Sequence, residues 1–378
     1  GPGSAEMLTG RAEKILRDAS VIIGNDFYID QISHHLEGKE VIRSKMGKEV
    51  DRAQECIEIA QTRSVAMVSG GDPGVYGMAS IVLQGLSHSG RPIPVEIVPG
   101  ITAALAACQS ANIPITLKFP SGRLDLYAAD APSRYYPMSN TDVLPQRRLG
   151  ILLEELHDLT LEGQATELVL HGSICAIALD QCRNVTLRGF IIDTDPPCNA
   201  EAKVISASPT RIELGIDPET YPFTVRGGRL GFRGSDGVEH WLGECMEFEP
   251  QTRRVRPGSG DWVLGPGRYA CIAYHSAPDR VTLTGIFAHL PLPGNILVLR
   301  HGKRSHASIY MQGCLDISIE NVEMRGNKGL GILAQDCANL TFRGISCVPA
   351  PGRIAAGHDD GLHISNCRGE IAIEDCRF

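Results

Sequence analysis

Ile332-Leu333-Ala334-Gln335-Asp336-Cys337-Ala338-Asn339-Leu340-Thr341-Phe342-Arg343-Gly344-Ile345 reads as an apolar strand, a tight corner around Cys337, and a second strand that alternates apolar with polar residues. The same pattern lies over Ile309-Tyr310-Met311-Gln312-Gly313-Cys314-Leu315-Asp316-Ile317-Ser318-Ile319-Glu320-Asn321-Val322. It lies again over Ile177-Ala178-Leu179-Asp180-Gln181-Cys182-Arg183-Asn184-Val185-Thr186-Leu187-Arg188-Gly189-Phe190. A further copy occupies 362–373, where Cys367 holds the corner and Gly369-Glu370 replaces the Asn turn. A two-strand unit with a Cys-x-Asn-type corner, repeated along the chain, predicts a solenoid of stacked β-coils. The apolar-polar-apolar triplets 159–161, 185–187, 281–283, 317–319, 340–342 and 371–373 are expected to be its strands, each with one buried face.

Cys182, Cys314, Cys337 and Cys367 share one repeat position, which predicts an inward stack of small apolar side chains and not disulfides. The 12 cysteines include no Cys-x-x-Cys pair, and no metal site is expected. A formal net charge of -8 without a basic stripe argues against a nucleic-acid binder. No apolar run reaches the ~18 residues that span a membrane, so no membrane partner is expected. The 41 glycines and 23 prolines suit a turn-rich β protein.

The first hundred residues follow a different pattern. Ala12, Ile15, Leu16 and Ala19 have helical spacing and precede a strand at 21–24. Ala53, Cys56, Ile57 and Ala60 repeat that spacing over 49–62, ahead of a strand at 64–69, the loop Gly70-Gly71-Asp72-Pro73-Gly74 and a helix at 75–86. A further strand is expected at 94–98 and a helix at 101–110. This alternation predicts a parallel, doubly wound sheet, which binds ligands in the glycine loops beyond its C-terminal strand ends.

Four segments in this region resemble the tetrapyrrole methylases, and among them the precorrin-3B C17-methyltransferases of cobalamin biosynthesis. They are Gly1-Pro2-Gly3-Ser4, Ile23-Gly24-Asn25-Asp26-Phe27-Tyr28-Ile29-Asp30, Ser69-Gly70-Gly71-Asp72-Pro73-Gly74-Val75-Tyr76-Gly77-Met78-Ala79 and Val95-Glu96-Ile97-Val98-Pro99-Gly100-Ile101-Thr102-Ala103-Ala104. The resemblance covers about 1–105. It implies S-adenosylmethionine as cofactor and a corrinoid precursor as substrate. It places Gly71, Asp72, Pro73, Val75, Tyr76 and Met78 on one wall of the cofactor pocket, and Thr102 and Ala103 on the other. The family's strand ahead of Gly1-Pro2-Gly3 and its second α/β domain have no counterpart here, so cofactor binding is expected to be weak or lost.

From about residue 107 a short helix, a strand, a Pro-Ser-Gly turn and another strand resemble the opening cap of pectate-lyase-like right-handed β-helices. The coil spacing breaks over 196–278, where longer strands at 204–216, 223–232, 239–248 and 261–274 predict an inserted antiparallel barrel-like subdomain. Trp241, Trp262, Tyr269 and Tyr274 lie in it, either as barrel core or as platforms for sugar faces. The expected organisation is thus an incomplete α/β half-domain at 1–105, then a right-handed parallel β-helix at 106–378 carrying the 196–278 insertion.

Gly357-His358-Asp359-Asp360-Gly361-Leu362-His363 concentrates titratable groups. Coils stack at about 4.8 Å, so carboxylates on neighbouring coils fall within the ~6.5–9.5 Å an inverting glycosidase needs. If both lie in a strand, Asp359 and Asp360 point to opposite sides, and Asp360 is the better candidate for the groove; the pair could equally be a solvated corner. The second half resembles the α-1,3-galactosidases of glycoside hydrolase family 110. The matching residues are 135–142, 147–154, Arg300-His301 with Arg304 and His306, and 360–369. The resemblance implies inverting hydrolysis of an α-galactosyl glycan without a cofactor, with Asp360 catalytic. Arg304, His306, His363 and Asp359 would lie against substrate, and partner carboxylates are expected on a coil beyond Phe378. Localisation stays open: cytoplasmic by the first module, secreted or periplasmic by the second. Three readings of activity follow: a glycosidase, a methyltransferase, or an inert chimera of two gene fragments joined near 102–108.

Overall fold

The computed structural model describes residues 3, 8–73, 77–98, 113–141, 145–234, 237–264 and 271–378, with backbone only at 238–240, 242, 243 and 262. The chain divides into two compact units, Gly1–Ile115 and Thr116–Phe378.

In the first unit the strand Val21–Asn25 is fully buried between two parallel neighbours, Glu40–Ser44 and Val65–Val68. The helix Gly10–Asp18 starts where the Thr9 side chain accepts from Ala12 N. It buries Leu16 against Ile22, Ile29, Ile32 and Ala66. Asn25 caps the helix Asp26–Gln31 by accepting from Phe27 N at 3.0 Å. Helices Glu49–Ile59 and Ala79–Ser89 follow, the latter ending at Gly90, whose φ of +64° a side chain would resist. Two expectations change. The helix foreseen from residue 75 begins at Ala79, because Ala79 N closes back onto Pro73 O at 3.0 Å in a turn. Residues 94–98 form no strand: among the described residues none pairs with them, and Pro92 and Pro94 lack the N–H a ladder needs. The helix expected at 101–110 lies outside the described residues.

In the second unit, strands alternate between two parallel sheets. The first contains Gln146–Glu154, Cys175–Asp180, His306–Gln312, Gly329–Gln335 and Leu362–Ser365. The second contains His157–His171, Arg183–Thr194, Leu315–Glu320, Ala338–Arg343 and Arg368–Glu374, with Gly122–Tyr127 at one end. The register follows the repeat: Ile177 pairs with Ile309 and Ile309 with Ile332, while Val185 pairs with Ile317 and Ile317 with Leu340. At each corner the residue before the cysteine is left-handed, as at Gln181, Gly313, Asp336 and Asn366. So is the residue two beyond it, as at Asn184, Asp316 and Asn339. Asn and Asp tolerate this conformation, and their side chains ladder from coil to coil. Asn184 Nδ2 donates to Asp158 Oδ1 at 2.6 Å, and Asn339 Nδ2 to Asp316 Oδ1 at 2.8 Å. Gly369 ends the series at φ +75°, where a Cβ would stand 2.1 Å from Asn339 Oδ1.

The cysteines stack inward as expected. Cys182, Cys314 and Cys337 are buried, and Cys314 N donates to Cys337 Sγ at 3.4 Å. The described cysteines are all reduced. Hydrogen bonding to Cys182 and Cys337, together with burial, pushes the Cys314 thiol far above its ordinary range.

The second sheet has one buried face, with burial alternating along Leu315–Glu320 and Ala338–Arg343. In the first sheet, Cys175–Asp180, His306–Gln312 and Gly329–Gln335 are buried on both. Tyr136 and Met138 cover its outer side chains Leu149, Ala178, Tyr310 and Leu333, which is why its strands are continuous apolar runs.

An antiparallel sheet is inserted between Arg183–Thr194 and His306–Gln312. Its order is Phe223–Arg226, Arg229–Gly234, Gly237–Glu249, Ile296–His301, Asn199–Ser208, Arg211–Ile216, Arg280–Gly285 and Cys271–Ala277. Residues 281–283, expected as a coil strand, belong here, with Leu283 opposite Ala273. Period-two alternation is common to any half-buried strand, and no cysteine corner precedes this one. The long strands expected at 204–216 and 223–232 each fold into a hairpin, the second around Gly227 and Gly228 at positive φ. Trp241 is barrel core, its Nε1 donating to Glu244 O at 2.7 Å, whereas Tyr274 is half exposed. The Trp262 side chain and Tyr269 lie outside the description.

Candidate functional site

The first sheet of coils presents the N-terminal ends of His306–Gln312, Gly329–Gln335 and Leu362–Ser365 side by side. Asp359 and Asp360 sit in the bend entering the last of these, not within a strand as the alternation argument assumed. Asp359 turns inward, its side chain 17% exposed and its Oδ1 3.6 Å from Arg304 Nη1. Asp360 turns outward, 55% exposed, with Oδ2 3.1 Å from His363 Nδ1. Arg304 Nη1 also donates to Asn140 Oδ1 at 2.9 Å. Arg304 is therefore paired with Asp359, and His363 with Asp360, on opposite sides of the bend.

His306 is not displayed in the groove. It is 2% exposed, its Nδ1 lies 2.7 Å from Ser305 Oγ, and its Nε2 has no hydrogen-bond partner. Burial, reinforced by Lys328 and Arg147, lowers its pKa to about 3. Burial likewise takes His358 to about 3, with its Nε2 3.1 Å from Cys198 O. Both imidazoles are neutral near pH 7.

Several residues that hold this bend were not singled out by the sequence. Arg147 is buried, donates to Tyr136 O, Ser305 O and Thr141 Oγ1, and so ties three chain segments together. Glu201 Oε1 accepts from Ile354 N at 2.6 Å and Ala355 N at 3.1 Å. Asn199 Nδ2 donates to Gly357 O at 2.9 Å. Both belong to the first strand of the insertion, so the antiparallel sheet fixes the approach to Asp359. Burial raises the Glu201 pKa, and the two amides it accepts from counter that rise.

In the first unit, Gly71 takes φ +65° at the end of Val65–Val68. A Cβ on Gly70 would stand 2.4 Å from the Tyr28 ring, and one on Gly77 2.5 Å from Pro73 O. The loop thus requires its glycines for close approach. Gly71, Pro73 and Met78 border a cavity of about 240 Å³. Asp72 lies between them in the loop. Arg52, also missed, is buried and donates to Ser44 Oγ at 2.5 Å and Met78 Sδ at 3.5 Å. Val75, Tyr76, Thr102 and Ala103 lie outside the described residues. Among the described residues no cluster of His, Cys, Asp or Glu is arranged to hold a metal, and no helix is long and apolar enough to cross a membrane.

Comparison with known proteins matches each unit separately. Residues 1–134 match the tetrapyrrole (corrin/porphyrin) methylases, and residues 200–297 match the GLAA-B β-barrel domain I. Alpha-1,3-galactosidase B of Bacteroides thetaiotaomicron is 36% identical over 288 residues, covering 75% of this chain and 46% of that protein. Alpha-1,3-galactosidase A of Bacteroides fragilis is 28% identical over 288 residues, covering 74% of this chain and 46% of that protein. Among solved structures, the methyltransferase CobJ is 34% identical, covering 33% of this chain and 53% of that one, with a TM-score of 0.30. The chain therefore joins a segment similar to the tetrapyrrole methylases to a segment similar to α-1,3-galactosidases, and spans about half the length of the curated relatives it matches.

Proposed function

We propose that the second unit is a right-handed parallel β-helix that hydrolyses terminal α-1,3-linked galactose at the Asp359–Asp360 bend. On this reading the module runs over 106–378, and the inserted barrel is a structural arm of the site. The observation that carries it is the immobilisation of that bend: Glu201 and Asn199 hold its approach, Arg304 bridges Asn140 and Asp359, and His363 holds Asp360. On this reading Asp360 is the catalytic carboxylate and Asp359 lies against substrate. Asp360, the more exposed, is positioned by His363 to exchange a proton with water or the leaving oxygen. Asp359 stays paired with Arg304, which orients it. Inversion requires the second carboxyl group to stand across a water from the first. The test is release of galactose from an α-1,3-galactoside, with the product anomer read by proton NMR before mutarotation. Asp360→Asn is expected to lower kcat by about 10²–10⁴. Equal turnover in Asp360→Asn, or an α-anomer as first product, would overturn the assignment.

The first unit supports a second reading, that of S-adenosylmethionine binding toward methylation of a corrinoid precursor. The matched methylases use this cofactor in general, and Gly71, Pro73 and Met78 of the glycine loop border a cavity of about 240 Å³. Gly71, Asp72, Pro73 and Met78, with Val75, Tyr76, Thr102 and Ala103, would hold it. Bound there, it would supply an electrophilic methyl group. Calorimetric titration of the full chain with S-adenosylmethionine tests this, with Gly71→Val expected to abolish the heat of binding.

A further inference from the structure

In the second sheet of coils the strand ends line up across the stack. Tyr127 is the register partner of His171. Leu170 pairs with Thr194, and Asp195 N donates to Leu170 O at 3.0 Å, which sets Asp195 beside His171. Thr194 in turn lies against Gly326, where a Cβ would stand 2.8 Å from Thr194 Oγ1, and Asn327 bridges to Gly357. One row of strand ends thus leads from Tyr127 through His171, Asp195 and Asn327 to Gly357, just ahead of Asp359. The row takes four steps at about 4.8 Å, roughly 19 Å in all. At its far end Tyr127 is half exposed, and its ring stacks on the His171 imidazole with centroids 4.4 Å apart and planes at 11°. His171 Nε2 lies 2.6 Å from Asp125 Oδ1. Arg123 Nη2 donates to Asp125 Oδ1 at 2.7 Å and to Asp195 Oδ2 at 3.1 Å. Leu168, Leu170 and Ile192, which alternate with the outward positions, are buried.

We propose that Tyr127, with Arg123, Asp125 and Asp195, forms a distal subsite that holds a neutral sugar ring of the glycan chain behind the terminal galactose. This deepens the galactosidase reading of the Asp359–Asp360 bend and rests on it. A sugar ring offers an apolar C–H face and a rim of hydroxyls. The open face of a half-exposed tyrosine suits the first, and the carboxylates and guanidinium beside it suit the second. Two carboxylates around one guanidinium disfavour an anionic chain and leave a neutral one. The bonds among Arg123, Asp125, Asp195 and His171 fix these groups before a ligand arrives, so little rotamer freedom is lost on binding. The row from Tyr127 to the Asp359 bend is several pyranose rings long. An oligosaccharide therefore reaches the subsite, and a disaccharide does not.

The test uses the full chain with a neutral α-1,3-galactosyl pentasaccharide, the α-1,3-galactosyl disaccharide, and the tetrasaccharide left when the pentasaccharide loses its terminal galactose. Saturation-transfer difference NMR with the tetrasaccharide is expected to show transfer to its ring protons that is lost in Tyr127→Ala and kept in Tyr127→Phe. This arm reads binding without hydrolysis, so it decides the subsite even where Asp360→Asn leaves turnover unchanged and the galactosidase reading falls. In kinetics, Tyr127→Ala is expected to raise KM for the pentasaccharide about tenfold while kcat and both disaccharide constants hold. Arg123→Gln, which leaves the ring in place, is expected to raise the same KM by less. Absence of transfer to the tetrasaccharide in the unsubstituted chain, or equal transfer in Tyr127→Ala, would overturn the proposal. So would an equal rise in KM for both substrates, since a distal subsite cannot act on a sugar that does not reach it.

Discussion

In the coil stack Ile309 is paired with Ile177 on one side and Ile332 on the other, whereas in the three-stranded sheet Val65–Val68 is paired, among the described residues, on one side only. The strands are alike: short, parallel and apolar. What differs is where the neighbour comes from. In the stack each coil brings the next one its partner at a fixed offset, and the corner residues that set the offset are repeated with it. In the sheet each neighbour is a different piece of chain with its own connection. Stability in the stack is accordingly spread over equivalent positions, and in the sheet it is concentrated in one small core around Ile22.

The largest expected effect comes from removing a shared coil side chain. Phe342 is fully buried, and Phe342→Ala should cost about 3–5 kcal/mol. Differential scanning calorimetry should show the second unit's transition fall while that of the first unit stays in place; movement of both would mean the two units melt as one.

Acid comes next. His306 and His358 have folded pKa values of about 3, below the ordinary value of 6.5 in the unfolded chain. The unfolded state therefore binds more protons between those limits, and stability contributed by neutral burial is present above pH 6.5 and lost as pH falls toward 3. Each histidine contributes a slope approaching about 1.4 kcal/mol per pH unit in that window. Urea melts at pH 7 and pH 5 should show the second unit weakened, and His306→Gln with His358→Gln should flatten the difference.

Smaller effects test the corners. Gly369→Val places a Cβ against Asn339 at positive φ and should cost about 1–3 kcal/mol, read as a lower urea midpoint. Asn184→Ala removes the bond to Asp158 and leaves alanine left-handed, for a loss of about 1 kcal/mol. Because coils couple only to their neighbours, exchange should quicken most in the coils holding 158 and 316. A uniform increase across the stack would break the nearest-neighbour picture.

The coil register was legible because Cys-x-Asn encodes a backbone conformation, left-handed at Asn184 and Asn339, and not merely a preference for strand. Gly369 was legible for the same reason. Double burial of the first sheet was not, since its cover, Tyr136 and Met138, lies far along the chain from Tyr310 and Leu333. Residues 281–283 misled because alternation records a half-buried strand without saying in which sheet. At the candidate site the sequence marked Asp359, Asp360, Arg304 and His363, and the structure pairs Arg304 with Asp359 and His363 with Asp360. It missed Glu201 and Asn199, whose contacts with Ile354 and Gly357 span more than a hundred residues. It also put His306 in the groove, because an imidazole's exposure depends on neighbours such as Arg147 that no local pattern reveals.

The inserted sheet begins at Asn199 and ends at Arg300 and His301, and Asn199 is the register partner of Arg300. Entry and exit thus lie side by side, like the two leads of a plug. Until that plug is formed, Cys175–Asp180 and His306–Gln312 are the ends of a very long floppy tether; once it is formed they are next-door neighbours. The inserted sheet is therefore expected to fold before the coils on either side can meet, and to act during folding as the clasp that closes the stack.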